Sequence, residues 1–445
     1  MHRKVKIPAA TLLAAFFLML PALSSAKVYI DISSAKVQRV PVAVPEPKVT
    51  GRVPDTARRV TPEMELAKQL RSDLAFVGIF EVLDPKGYLE DPEVADLVPD
   101  TNSFADWRSI GAELLIKSQL DYDAGQYIVD LYAYDAVRQD FLFGKRFRGS
   151  SDSMKDISGL FANAALEKFT GKEGPFGTQI AYAVKEGAGK EIYRTVLNRP
   201  STTAKVTNTK ALNLGPVWGR GLDYIYVTSY YGGEPELCRV FLDEGFLRYV
   251  RRNDGMDMPG EEAPSGKTLA YASSVGGNTD IYLLDLDSGK QRRLTSDRAI
   301  DVSPAWSPDG EKLAFVSDRK GNPHIFTVDK DGDNLKRITF SGKHNGDPAW
   351  SPDGDQIAFT GMDKAGTFQV FIVDVEGRKM TQITHGPYDT LEPSWSPDGR
   401  FLAVTSKKDG EKAVYVLRLG ANQMERVSPE GKDASQPAWS YRRPK

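Results

Sequence analysis

One phrase, Pro-Ala/Ser-Trp-Ser-Pro-Asp-Gly, returns along the C-terminal half of the chain and constrains its fold more than any other feature. Its tryptophans Trp306, Trp350 and Trp395 are 44 and 45 residues apart. Steps of 44 residues in both directions from this series reach Trp439, Glu262 and Trp218. A repeat of roughly 40 to 50 residues is typical of β-propellers and solenoids.

Each repeat contains the signals of four short strands. In the unit of Trp306, the first strand ends at the tryptophan and Ser-Pro-Asp-Gly makes the turn, because Pro presets φ and Gly accepts a positive φ. Apolar runs over residues 312–317, 324–328 and 335–339 follow, each bounded by turn residues. Four strands per repeat predict the blade of a propeller.

The two ends of the repeat predict how the ring closes. Residues 179–183 and 192–196 match the second and third strands of a blade, but no Pro-x-Trp strand precedes them. Residues 436–440 form such a strand with no blade after it. We therefore expect an all-β six-bladed β-propeller over residues 173–445, closed by the C-terminal strand at 436–440. Closure removes the sheet edges on which other chains could pair.

The N-terminus predicts export. Basic residues between Arg3 and Lys6 precede an apolar run over residues 7–20, and Ser24-Ser25-Ala26 offers a cleavage site. The run is shorter than the roughly 20 residues that a membrane-spanning helix needs. We expect a signal peptide over residues 1–26 and a mature chain that does not span the membrane.

Composition excludes some classes of function. The formal net charge is −2, which argues against nucleic acid as a partner because nucleic-acid-binding domains usually carry a basic excess. The lone Cys238 has no partner for an internal disulfide, and its neighbours predict a strand position instead of a reactive site.

Residues before the repeat predict a separate domain. We expect an extended N-terminal arm over residues 27–48, stiffened by its prolines, and a small α/β domain over residues 49–172. Its predicted elements are a helix after Thr61 and Pro62, strands over 114–120, 127–134 and 141–147, and a helix over about 153–170. The helices are expected to cover one face of a mixed sheet.

A search for catalytic motifs returns none. Ser-x-x-Lys at residues 317–320 falls at a strand-to-turn position of the repeat. The acidic stretch 329–333 suggests a calcium loop, but the positions that need Gly and Glu are occupied by Asn334 and Phe340, so a hairpin turn is expected. His324, His344 and His385 are too scattered for a zinc site. We predict no catalytic residues, no metal ligands and no cofactor, although acidic side chains near the channel leave room for a cation such as calcium.

The repeat phase predicts a binding surface. Loops that enter the inner strands converge on one end of the central channel, so residues three to six places before each Trp position are expected to ring one mouth. Turns also favour short polar side chains. The apolar Met258, Val302 and Leu391 in the same ring suit a contact with a protein or a peptide instead.

The order of these features resembles the TolB family, the periplasmic component of the Tol-Pal cell-envelope system. The resemblance rests on Phe104-Ala105-Asp106-Trp107-Arg108, on Gly111-Ala112-Glu113-Leu114-Leu115-Ile116, on the junction Phe176-Gly177-Thr178-Gln179-Ile180, and on six blades after a signal peptide and an α/β domain.

The resemblance implies two partners. It implies that the lipoprotein Pal docks on the channel mouth, and the residues expected there are His344, Asn345, Gly346, Asp347, Asp301, Val302, Asp389, Thr390 and Leu391. It also implies that the mature N-terminus pairs with TolA by adding a strand to its sheet. The residues expected in that strand are Lys27, Val28, Tyr29, Ile30, Asp31 and Ile32.

Two classes of function follow. The first is a periplasmic, non-enzymatic adaptor, a monomer within a hetero-complex, that links the inner-membrane TolA complex to Pal and contacts other envelope proteins. The resemblance implies roles in outer-membrane integrity, cell division and protein import. The alternative is a secreted propeller enzyme that cleaves peptides or polysaccharides in its channel. Such an enzyme needs a hydrolase domain or a cluster of His and acidic ligands, and the sequence shows neither.

Overall fold

The computed structural model describes residues 39–51, 61–91, 96–252, 254–421 and 423–442. The predicted signal peptide over residues 1–26 and the predicted TolA-binding segment over residues 27–32 lie outside the described residues. None of the helices in the described ranges combines the length and the apolar character that crossing a bilayer requires.

In its described residues, the N-terminal domain is a mixed sheet with three α-helices. Its elements are β1 (Val40–Ala43), β2 (Lys48–Val49), α1 (Pro62–Val77), β3 (Phe80–Val82), α2 (Thr101–Ser109), β4 (Leu114–Asp123), β5 (Gln126–Asp135), β6 (Asp140–Gly149) and α3 (Met154–Thr170). The strand order is β3-β1-β4-β5-β6, and β2 pairs with β4. Strand β1 runs parallel to β3 and β4, whereas β4, β5 and β6 are antiparallel.

Helices α1 and α3 cover one face of this sheet. Helix α1 starts at Pro62 after Thr61, as predicted, and ends at Val77, where Gly78 with a φ of 72° caps it. The side chains of Leu66, Leu70 and Leu74 lie on one face of α1 and are buried in a core that includes α3. The helix therefore forms where an apolar stripe of period 3.6 meets a covered sheet face.

Helix α2, which the sequence did not predict, lies on the other face of the sheet. Its Phe104 and Trp107 belong to a separate core with Leu115 and Tyr134, on the side of the sheet opposite to α1 and α3. The side chain of Asp100 caps the helix by accepting a hydrogen bond from the Ser103 backbone N–H at 2.7 Å. At nine residues, α2 is too short for its periodicity to predict which face it covers.

The arm predicted over residues 27–48 also needs correction, because β1 is an interior strand between β3 and β4. Val42 and Ala43 are fully buried. The Pro41 carbonyl accepts a hydrogen bond from the Glu113 N–H at 3.0 Å. The missing Pro41 N–H is tolerated because on that side of β1 the neighbouring strand, β4, starts only at Leu114. On the side of β3, the Val40 N–H donates to the Ile79 carbonyl.

The remainder of the described chain is a six-bladed β-propeller of four-stranded antiparallel sheets. The first blade contributes β7 (Gln179–Glu186), β8 (Gly189–Val196) and β9 (Arg199–Lys205). The second is β10 (Asn213–Trp218), β11 (Tyr224–Ser229), β12 (Glu236–Phe241) and β13 (Leu247–Tyr249). The third is β14 (Asp257–Glu262), β15 (Thr268–Ser273), β16 (Asp280–Asp285) and β17 (Gln291–Arg293).

The other blades follow the same pattern. The fourth is β18 (Asp301–Trp306), β19 (Lys312–Ser317), β20 (His324–Asp329) and β21 (Lys336–Arg337). The fifth is β22 (Asn345–Trp350), β23 (Gln356–Met362), β24 (Phe368–Asp374) and β25 (Met380–Gln382). The sixth is β26 (Thr390–Trp395), β27 (Phe401–Ser406), β28 (Ala413–Arg418) and β29 (Met424–Arg426).

The C-terminal strand β30 (Ala434–Trp439) supplies the inner strand of the first blade by pairing with β7. The register places Trp439 opposite Ile180 and Ala434 opposite Val184. The Trp439 indole N–H donates to the Thr178 hydroxyl at 2.8 Å. The strand starts two residues before the Gln436 expected from the sequence.

The α/β domain contacts the propeller at the end that carries the Ser-Pro-Asp-Gly turns. The Phe76 ring stacks on Phe401 with centroids 5.0 Å apart. Asp353 in one of these turns forms an ion pair with Lys172, and Arg400, directly after another, donates to the Thr170 hydroxyl. The loops that lead into the inner strands lie at the other end of each blade, away from these interdomain contacts.

Candidate protein-docking site at the channel mouth

The inner strands form the wall of the central channel. Strands β10, β14, β18, β22, β26 and β30 each contact the next one, which closes the ring. We call "the mouth" the six segments three to six residues before each Trp position of the repeat. These segments are 212–215, 256–259, 300–303, 344–347, 389–392 and 433–436.

A β-bulge interrupts each inner strand within the mouth. In five blades the residue three places before the tryptophan adopts a positive φ between 49° and 58°. These residues are Gly215, Ser303, Asp347, Glu392 and Gln436. In the third blade the position is Pro259, and the register shift lies between it and Glu262. Bulges re-aim side chains, and here they turn a polar residue of several blades toward the neighbouring blade.

The bulge residues of neighbouring blades are joined by hydrogen bonds. The Glu392 carboxylate accepts from the Gln436 backbone N–H at 2.7 Å and from the Thr405 hydroxyl at 2.6 Å. The Gln436 side-chain carbonyl accepts from the Gly215 N–H at 3.1 Å. The Glu392 N–H donates to the Thr360 hydroxyl at 2.9 Å. Half of the channel wall is therefore held by polar groups that bridge blades.

Four of the nine residues expected at the Pal surface are buried. Asp301 is fully buried and forms an ion pair with Arg319 at 2.7 Å. The Asn345 amide donates to the Ser341 carbonyl at 2.8 Å, and Thr390 bonds Ser406. Gly346 is buried in β22. These residues shape the mouth from within and offer no free surface to a partner.

The other five residues face solvent in part: His344, Asp347, Val302, Asp389 and Leu391. The His344 ring meets Phe368 edge to face, with ring centroids 5.4 Å apart. The Asp389 carboxylate accepts from the Phe368 N–H at 3.1 Å. Both side chains thus contact Phe368 at the start of β24, and the structure brings together His344 of the fifth blade and Asp389 of the sixth.

Sequence reasoning missed two members of this network, Thr360 and Thr405, which lie on the second strands of the fifth and sixth blades. The phase of the repeat pointed to Gln436, which lies three residues before Trp439 like the other bulge residues. Thr360 lies on β23, opposite Gly346, and no sequence signal marks it.

Asp347 is an unusual acid. Burial raises its pKa from 3.8 to about 6, and the nearby charge of Glu392 adds to the shift, whereas the Thr360 hydroxyl opposes it. The folded chain therefore holds this proton more tightly than the unfolded chain. The stabilising contribution is present below pH 3.8 and is lost as the pH rises through about 6.

Replacing Asp347 by Asn removes this dependence. Asn tolerates a positive φ, so the bulge is retained. We expect the stability of D347N relative to the wild type to rise by about 1 to 2 kcal/mol between pH 4.5 and pH 7.5, after allowance for residual solvent exposure. Urea unfolding at both pH values measures the difference. An equal difference at the two pH values would contradict the raised pKa.

Metal and thiol chemistry find little support in the described residues. Within them, no three His, Cys, Asp or Glu side chains are grouped so that they could hold a metal ion. The suggested channel cation therefore has no ligand set among these residues. Cys238 lies buried in β12, as predicted, and burial raises the pKa of its thiol to about 12.

Two family models match the chain. The model of the TolB amino-terminal domain matches residues 28–142, and the model of the TolB beta propeller domain matches residues 166–365 and 343–444. Together the propeller matches cover more than half of the chain.

Curated relatives and solved structures agree with these models. The chain is 30% identical over 235 residues to the Tol-Pal system protein TolB of Desulfosudis oleivorans, covering 52% of each chain. It is 33% identical over 219 residues to that of Syntrophus aciditrophicus, covering 48% of this chain and 47% of the relative. The chain spans about half the length of these curated relatives.

The crystal structure of TolB from Acinetobacter baumannii has the same fold. It superposes with a TM-score of 0.77 over 93% of this chain and 100% of that chain, at 22% sequence identity.

Proposed function

The chain belongs to the TolB family, and from this premise we propose that it is a periplasmic, non-enzymatic adaptor that links TolA to the lipoprotein Pal. Family membership makes it a Tol-Pal system protein. The two partners, the periplasmic location and the part played in outer-membrane integrity, cell division and protein import belong to the proposal.

The observation that carries the proposal is the open mouth. The contacts of the α/β domain described above lie at the opposite end of the propeller, on the Ser-Pro-Asp-Gly turns. The mouth presents half-exposed polar and apolar side chains on a wall fixed by bridging hydrogen bonds. A rigid, mixed surface of this kind suits a protein partner, because little side-chain freedom is lost on binding.

The first test concerns His344 and Asp347, which lie at the two ends of one mouth segment. We expect the double variant H344A/D347N to bind the soluble domain of Pal about 1 to 4 kcal/mol more weakly than the wild type, because polar groups near the centre of an interface carry costs of that order. Isothermal titration calorimetry with the purified Pal domain measures the change.

A matched control lies at the other end of the propeller. Lys290 and Asp331 are exposed residues in turns far from the mouth, so K290A/D331A removes two polar side chains without touching it. Equal affinity of the two double variants would refute the assignment of the mouth to Pal.

The second test concerns the N-terminal strand proposed for TolA, residues 27–32. The segment alternates apolar Val28, Ile30 and Ile32 with other residues, as a strand that adds to a sheet edge requires. Its chain continues into Arg39 and then into β1 of the α/β domain. We propose that it pairs with TolA from there while Pal occupies the mouth.

Deleting residues 27–34 is expected to abolish TolA binding and to leave the Pal affinity unchanged. The backbone groups that would pair with TolA are lost, whereas the mouth lies in another domain. Surface-bound TolA and Pal domains measure both affinities on the same protein sample. The control variant K36A/Q38A changes two side chains just after the deleted segment and keeps the length of the chain. Retained TolA binding by a deletion variant with a normal circular dichroism spectrum would assign the segment no part in TolA recognition.

A further inference from the structure

The mouth is divided into an aliphatic half and a polar half. The residue six places before each Trp position is aliphatic in three consecutive blades, Leu212, Met256 and Ile300. In the other three blades it is polar, His344, Asp389 and Asp433. The three aliphatic side chains are 37%, 41% and 51% exposed.

The backbone at this position is held in the same way in both halves. The carbonyls of Leu212 and Met256 accept from the first N–H of the loop between the second and third strands of their blade. The Asp389 carbonyl does the same, and the carbonyls of His344 and Asp433 accept from the N–H groups of Met362 and Lys185, near the ends of the second strands of their blades. The fold therefore accepts polar side chains here, and folding alone does not account for aliphatic ones.

The aliphatic half extends in two directions. Two residues further along the strands, on the same side of the pleat, stand Leu214, Met258 and Val302, all half-buried in the mouth. On the loops beside the rim, Tyr231 and Val275 directly follow the residues whose N–H groups donate to the Leu212 and Met256 carbonyls. Tyr231 is 62% exposed and Val275 is 39% exposed. Apolar side chains thus occupy two positions in each of these three mouth segments and the rim beside two of them. Exposed sets of this size on a soluble protein usually mark an interaction site.

We propose that the aliphatic half of the mouth is the apolar contact surface of the protein that docks there, Pal in the function proposed above, on which this inference rests. The partner presents apolar side chains to the second, third and fourth blades and hydrogen-bonding groups to the fifth, sixth and first. The contacts with the partner are therefore apolar on one side of the channel axis and polar on the other.

Interface size supports a single occupant for both halves. A stable interface takes roughly 800 Å² and 20 to 30 residues from each partner. Five partly exposed residues on the fourth to sixth blades fall well short of that. Ile300 and His344 occupy the same position in adjacent blades, so a partner that covers His344 meets the aliphatic half at once.

The test is the double variant M256D/I300D, titrated with the purified soluble domain of Pal. We expect its affinity for Pal to fall about 10- to 100-fold, because the two introduced carboxylates would be buried against apolar side chains of Pal. The milder M256S/I300S is expected to lose about 3- to 10-fold. The matched control M380D places a charge on a similarly exposed residue, 42% in the outer strand β25, and is expected to bind like the wild type.

Each other result has a definite meaning. Unchanged affinity of both mouth variants, with weakened binding by H344A/D347N, would overturn this inference and leave the proposed function standing. Absence of Pal binding by the wild type would overturn both. A wild-type dimer in light scattering that M256D/I300D makes monomeric would assign the aliphatic half to a second copy of the chain and overturn the inference.

Discussion

Truncating the chain after Asp433 is expected to lower the free energy of unfolding by about 5 kcal/mol or more, which is comparable to the whole stability of an ordinary domain. The truncation removes β30, the inner strand of the first blade. Loss of a buried tryptophan alone costs about 3 to 5 kcal/mol. Trp439 is 5% exposed. The Ala438 carbonyl, which accepts from the Trp218 indole N–H at 2.9 Å, is lost as well.

Urea unfolding followed by circular dichroism measures the effect, and point variants calibrate it. W439A is expected to lose about 3 to 5 kcal/mol, whereas W439F keeps most of the ring packing and loses less. The truncated chain also exposes the edge of β7, so we expect aggregation at high concentration. A truncated protein that melts within about 1 to 2 °C of the full-length protein would contradict closure by the C-terminal strand.

The second large effect is expected for Asp73→Ala, with a loss of about 3 to 5 kcal/mol. Asp73 in α1 is fully buried, and both Nη groups of Arg199 in β9 donate hydrogen bonds to its carboxylate, at 3.0 and 3.1 Å. Its carboxylate also accepts from Ser158 of α3 at 2.6 Å and from Asn198 at 2.7 Å. Removing it leaves the Arg199 charge buried without its carboxylate between the α/β domain and the first blade.

The control for this prediction is an exposed ion pair. Asp96 is 83% exposed and pairs with Lys48 at 3.1 Å, so D96A is expected to cost less than about 1 kcal/mol. Because Asp73 connects the two domains, D73A is also expected to separate their unfolding transitions in calorimetry. A single transition at the wild-type temperature would show that the Asp73–Arg199 pair does not couple them.

The propeller was predictable from the sequence because each blade repeats the same local signals. Turn chemistry in Ser-Pro-Asp-Gly and the apolar alternation act within one repeat, so Trp306 and its equivalents indicate strands without knowledge of distant contacts. The helix α1 was predictable for the same reason, since Pro62 and the leucine stripe are local.

Non-local pairing explains what the sequence did not predict. The sequence predicts a proline-rich arm at β1 because the partner strands β3 and β4 lie roughly 40 and 70 residues further along the chain, and no local signal marks the pairing. The bulges escaped prediction because their residues range from Gly215 to Glu392 and Gln436, and only the ring of neighbouring inner strands imposes the positive φ.

The mouth lies between these two cases. The repeat phase placed its segments correctly at the entrance of the inner strands. It did not separate Asp301 and Asn345, whose side chains turn inward to Arg319 and to Ser341, from His344 and Val302, which face solvent in part. Burial at a ring of converging strands depends on the neighbouring blade, and a single repeat carries no signal for it.

The most direct test of the adaptor function is a calorimetric titration of the soluble domain of Pal into the mature chain. The account predicts saturable one-to-one binding, with a Kd of about 1 μM or tighter, which corresponds to about −8 kcal/mol or more. The absence of saturable binding by the folded chain at Pal concentrations of about 100 μM would contradict it.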